Sequence, residues 1–97
     1  MEIQFRMSGK VSDYRSFSAQ RPRRFVVDLL GNWQVLVASK HVLGHHLAKQ
    51  VRIGKHPDKL RVVMDLGPDA SNDVDVQVTS VGFLVRISPT PLSPLPQ

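Results

Sequence analysis

The sequence predicts an all-β fold, a sandwich or barrel, of which a small pseudo-symmetric sandwich of two similar half-domains is the simpler account. The prediction rests on apolar residues recurring at every second position in run after run, on turn-forming residues between the runs, and on one short block that occurs twice. Ile3, Phe5 and Met7 alternate with Gln4 and Arg6, and this first strand ends at Ser8-Gly9. Tyr14 to Ser18 reads as a short second strand. Phe25, Val27 and Leu29 alternate with Arg24, Val26 and Asp28 until Gly31-Asn32 breaks the run. Gln34 to Ala38 follows as another strand, with Trp33 at its mouth. Val51 to Ile53 is brief and stops at Gly54. Leu60 to Leu66 alternates up to Gly67-Pro68, Val74 to Thr79 alternates with Asp75 and Gln77, and Phe83 to Ser88 closes the series. His41 to Gln50 departs from the pattern. Val42, Leu43, Leu47 and Ala48 are spaced closer to a helical period, which predicts a one- or two-turn connecting helix.

A chain of 97 residues fits one domain, and 41% hydrophobic against 22% charged residues is a globular balance rather than a disordered one. The domain is expected to occupy residues 1–88. Residues 89–97 hold Pro89, Pro91, Pro94 and Pro96, and proline lacks the donor that a sheet ladder needs. This tail reads as a Pro-rich linker to a following domain. The absence of cysteine removes disulfides, thiolate metal sites and thiol nucleophiles. No run approaches the roughly 20 apolar residues of a membrane-spanning helix.

The net charge of +5 is polarised, +8 over residues 1–61 and −3 over residues 62–97. A basic first half favours polyanionic partners, though a solubilising surface charge accounts for it equally well. Arg21, Arg23 and Arg24 form its densest cluster, either an anion contact or a solvated turn. Nucleic acid is an unlikely partner, because single-strand binders interleave cations with exposed aromatic rings. Here alternation assigns Phe5, Phe25 and Phe83 to the core, leaving Tyr14, Phe17 and Trp33 as rings able to stack on a base or a sugar.

Arg24-Phe-Val-Val-Asp-Leu29 and Arg61-Val-Val-Met-Asp-Leu66 are nearly the same six residues, 37 positions apart, each followed by a glycine. Within a strand, residues two apart share a face. Arg24, Val26 and Asp28 therefore share one face, as do Arg61, Val63 and Asp65. Arginine and aspartate of one copy lie about 13 Å apart, too far to pair. If the copies are antiparallel neighbours about a pseudo-twofold near Val26 and Val63, Arg24 faces Asp65 and Arg61 faces Asp28. These four residues are the leading candidates for a binding strip, with a structural role as cross-strand ion pairs as the competing account.

Enzymatic activity is not expected. The sequence lacks a nucleophile elbow and a Gly-rich phosphate loop, and its single glutamate is Glu2. Arginines beside Asp28 and Asp65 lower carboxylate pKa values, the opposite of what a general acid needs. His41 and His45 stand four apart, but no carboxylate occurs between residues 29 and 57, so neither a metal nor another cofactor is expected. Asp69, Asp73 and Asp75 lack the spacing of a calcium loop.

Arg24-Phe-Val-Val-Asp-Leu29, then Val51-Arg-Ile-Gly-Lys-His56, then Leu60-Arg-Val-Val-Met-Asp-Leu66 form an ordered set of blocks that resembles the AMIN domain. That domain is found in periplasmic N-acetylmuramoyl-L-alanine amidases and in type IV pilus secretins. Lys55-His56 after Gly54, and Met64 where an aliphatic residue is usual, are the departures. The resemblance implies a sandwich of two similar sheets and a non-catalytic module that binds peptidoglycan and localises an attached amidase or secretin domain. The alternative it leaves is a protein-interaction domain in a secretin, pilus or division assembly. It adds Arg52 and Lys55, from the middle block, to Arg24, Asp28, Arg61 and Asp65 as candidate ligand contacts. It also implies a periplasmic location, with a signal peptide expected in the full-length protein.

Overall fold

The computed structural model describes residues 1–34 and 39–90, and among them it is all-β. The strands are β1 (Glu2–Arg6), β2 (Tyr14–Ala19), β3 (Arg24–Leu30), β4 (Lys40–Val42), β5 (Ala48–Lys55), β6 (Lys59–Leu66), β7 (Ala70–Thr79) and β8 (Gly82–Pro89). They form a smaller sheet of three strands, ordered β1-β8-β7, and a larger sheet of five, ordered β2-β3-β6-β5-β4. The expected sandwich is present, but its sheets differ in size. The pseudo-twofold relates two strands inside the larger sheet instead of one sheet to the other. The expected strand at residues 34–38 falls, apart from Gln34, outside the described residues.

The repeat lies at the centre. Strands β3 and β6 pair antiparallel with Val26 opposite Val63, Arg24 opposite Asp65 and Asp28 opposite Arg61, the register expected from the sequence. Alternation sends Phe25, Val27 and Leu29 of β3, and Leu60, Val62 and Met64 of β6, into the core. There they meet Phe83, Val85 and Ile87 of β8, all fully buried. Phe5 of β1 stacks on Phe83 directly across the ladder, with ring centroids 4.5 Å apart. Burying a side chain of this size stabilises by roughly 1.5–3 kcal/mol. Val11, in the connection between β1 and β2, is also buried, which no periodic run announced.

No helix forms at His41 to Gln50. Lys40–Val42 instead pairs antiparallel with Gln50–Arg52, closing a hairpin through Gly44 at φ 61°. Leu43 and Gly44 both donate to the Lys49 carbonyl, and His45 donates to that of Ala48. Ten residues containing a glycine make a marginal helix. The open edge of β5 offers a complete set of backbone partners. Leu47 and Ala48 are consequently buried while Val42 is 74% exposed, a division no single helical face would give. Strand β5 is also longer than expected, because Gly54 pairs with Arg61 instead of ending the run. Pro89, assigned from sequence to the linker, is the last residue of β8 opposite Ala70. At a strand end its missing donor interrupts no interior rung.

Gly67 follows β6 where the chain passes directly against the His46 carbonyl, and a Cβ there would overlap that oxygen. Gly67→Ala is therefore expected to cost about 2 kcal/mol or more. Urea unfolding followed by tryptophan fluorescence reads this as a lowered midpoint with little change in slope, and an unchanged midpoint would show that the backbone relaxes freely.

Candidate ligand-binding face

The register of the larger sheet determines which side chains share its outer face, away from the core. One row across the strands runs Arg15, Asp28, Arg61, Gly54. The next runs Phe17, Val26, Val63, Arg52, Lys40, and the third Ala19, Arg24, Asp65, Gln50, Val42. Lys59 lies one row beyond Arg61 on β6. Six cations thus stand against two carboxylates on one surface. Of the residues singled out from sequence, Arg24, Asp28, Arg52, Arg61 and Asp65 are brought together here. Lys55 is not: alternation along β5 turns it to the other face, opposite Leu60 at the exposed strand end.

Both carboxylates are nearly enclosed, Asp28 at 6% and Asp65 at 7% exposure. Arg61 grips Asp28 with Nε and Nη2 at 2.8 and 2.9 Å, and Lys59 lies 3.8 Å away. The partner expected for Asp65 was Arg24, which indeed stands directly across the ladder. Its guanidinium instead turns back to donate to the carbonyls of Gln20 and Pro22 in the β2–β3 turn. Asp65 is held by Arg52, diagonally across on β5, through Nε and Nη2 at 2.9 Å each, and by Gln50 Nε2 at 2.6 Å. The two aspartates of the repeat therefore have the same bidentate clamp, supplied by arginines from different strands.

The Arg61 hydrogen bonds hold the Asp28 carboxyl below its usual range against the opposing effect of burial, with the charges of Arg61, Lys59 and His56 adding to the shift. Burial pushes Asp65 up, but the bonds from Arg52 and Gln50, with the charges of Arg52 and Arg24, outweigh it and leave the group lowered. Arg61 is correspondingly raised, chiefly by its bonds to Asp28.

The Arg61 guanidinium reaches from β6 over β3 to a point 5.6 Å from the centre of the Phe17 ring on β2. This crossing accounts for Val26 being only 3% exposed although it lies on the outer face. Phe17 itself is 43% exposed. The other two rings reserved for stacking are otherwise engaged: Trp33 packs on the core and donates Nε1–H to the Leu30 carbonyl, and Tyr14 also packs on the core. Of the histidines, His45 stacks on His46 and accepts from the Leu47 amide. No group of three or more histidine, aspartate or glutamate side chains suited to a metal occurs among the described residues. Arg15, Lys40, Gln50 and Lys59 escaped the sequence reading, since their membership of this face depends on which strands are neighbours.

A family model described as the AMIN domain matches residues 1–92, nearly the whole chain. The chain belongs to the AMIN domain family. Comparison with curated proteins and with solved structures finds no significant match. AMIN domains are peptidoglycan-binding, non-catalytic targeting domains of periplasmic proteins. In this AMIN domain the blocks that carry the family resemblance are β3, the second half of β5, and β6, the three central strands of the larger sheet. No helix among the described residues is long and apolar enough to cross a membrane.

A carboxylate whose folded pKa lies below its usual 3.8 stabilises fully above that pH and loses the contribution as pH falls through the lowered value. Asp28→Asn is thus expected to lower the urea midpoint at pH 7, by about 1–2 kcal/mol given the partly exposed arginine partner. The gap to the unsubstituted domain is expected to narrow as pH falls from 3.8 through the lowered value. A gap constant over that range would mean the ion pair contributes nothing.

Proposed function

We propose that this chain is a cell-envelope targeting module that binds peptidoglycan through the outer face of its larger sheet and localises an attached domain of amidase or secretin type in the periplasm. The observation that carries the reading is the excess of cations on the face built from the family's own strands. In this reading Arg61, Arg52 and Arg24 contact the wall. Asp28 and Asp65, being enclosed, hold the arginine forks in place, and Lys55 contributes only long-range charge. The Pro-rich residues that follow β8 serve as the tether to the attached domain.

A second reading, a protein-interaction domain in a secretin or pilus assembly, draws on β2. This edge strand pairs only with β3 among the described residues, and Arg15, Ser16, Phe17 and Ser18 are exposed along it. An extended segment of a partner adds to such an edge through main-chain hydrogen bonds.

Sedimentation with protein-free peptidoglycan sacculi at physiological salt separates the readings. The domain is expected in the pellet. Arg61→Ala and Arg52→Ala, checked for folding by circular dichroism, are expected to reduce retention at least threefold, while Lys10→Ala, in the connection between β1 and β2, leaves it unchanged. Retention lost for all forms on adding modest salt would mean charge alone. No retention at any salt would move the function to a protein partner.

A further inference from the structure

The clamps on Asp28 and Asp65 occupy the same atoms of both arginines. Each guanidinium commits Nε and Nη2 to its carboxylate, and among the described residues neither Nη1 has an acceptor. The arginine side chains remain 47% and 37% exposed while the carboxylates are closed to solvent at 10% and 8%. The carboxylates are therefore spent internally. What the face offers outward is two oriented, immobilised cationic edges, whose loss of rotamer freedom on binding is already met in the free domain. Their anchors stand four residues apart along the strand direction, about 13 Å. Between their rows lie the apolar side chains of Phe17 and Val63, with Arg15 and Lys40, which hold no ion pair among the described residues, in adjoining register positions.

Two fixed cationic edges separated by an apolar strip fit a ligand with two anionic groups on a short, partly apolar backbone. At roughly 3.3–3.6 Å per residue, three to four extended residues span the anchors. We propose that the part of peptidoglycan recognised by this face is the stem peptide, through carboxylates on two of its residues, and not the uncharged sugar units of the glycan. The inference rests on the wall-binding reading above and assigns the chemistry of that site. Bidentate or end-on carboxylate contacts to the Arg61 and Arg52 edges fix the peptide, small side chains pack on Phe17 and Val63, and Arg15 and Lys40 supply further attraction.

The test uses the folded domain and soluble probes, with amide chemical shifts as readout. The synthetic tetrapeptide L-Ala–γ-D-Glu–meso-diaminopimelate–D-Ala is expected to shift β3, β5 and β6 resonances around Arg52 and Arg61. The same peptide with its carboxylates amidated is expected to bind at least fivefold more weakly, and N-acetylglucosamine tetramer to leave the face unperturbed. Arg15→Gln with Lys40→Gln alters exposed residues that hold no ion pair among the described residues, so it is expected to fold normally and weaken the acidic peptide at least threefold. Phe17→Ala is expected to weaken it further. Equal binding of acidic and amidated peptides, or shifts on this face from the sugar tetramer alone, would overturn the assignment. So would stronger capture by anionic phospholipid vesicles than by sacculi. Retention on sacculi without peptide binding would remove this inference and leave wall targeting standing, whereas failure on sacculi removes the reading beneath it.

Discussion

The structure depends on the antiparallel pairing of β3 with β6, the two copies of one six-residue pattern. Their register places Val26 against Val63 and directs three apolar residues of each copy into the core. A slip of one residue would exchange every inward and outward side chain of these strands, setting Phe25, Val27 and Met64 in water and Asp28 in the core. The same register brings Arg61 onto Asp28, so packing on one face and ion pairing on the other favour a single alignment. Neither is sufficient alone: apolar alternation tolerates shifts by two, and a cross-strand pair of this exposure contributes modestly.

The sheet is asymmetric around this pair. Strand β2 flanks β3 on one side with exposed, small or basic residues, whereas β5 flanks β6 with Gln50 and Arg52. Asp65 therefore acquires a complete set of donors from β5, and Arg24 is released to close the β2–β3 turn. Arg23, one residue earlier, donates to Ala70 and Asn72 at the start of β7, tying that turn to the smaller sheet. Pseudo-symmetry of sequence is thus converted into different duties. One arginine of the repeat serves a turn, the other grips a carboxylate and shelves over Phe17.

Charge separation follows the same division. Eight of the twelve cations of the first 61 residues lie on β2, β3, β4, β5 and the first half of β6 in the larger sheet, while Arg6 on β1 and Asp73 and Asp75 on β7 belong to the smaller one. The positive charge of the chain is thereby concentrated on the larger sheet, whereas the smaller sheet carries Arg6 and Arg86 against Glu2, Asp73 and Asp75. A polyanion approaching the molecule meets a field that orients it toward the larger sheet.

Much of this was legible in the sequence. Period-two alternation located β1, β2, β3, β6, β7 and β8, because half-buried strands record the inside and outside of a sheet in their residue order. The repeat, read as a pseudo-twofold, gave the β3–β6 register and the Arg61–Asp28 pair, since identical patterns run antiparallel bring unlike charges together. The hairpin formed by β4 and β5 was not legible. Its apolar residues are consecutive or exposed, and its strands exist because the edge of β5 satisfies the backbone of Lys40–Val42. Nor was the partner of Asp65, which required knowing that β5 adjoins β6. The sequence by itself determined the fold class, the family and the charged character of the domain, for these are written in local order and composition. Tertiary structure alone decided which cations share a face, which are spent on buried carboxylates and which remain free, because those outcomes depend on lateral neighbours that lie far apart along the chain.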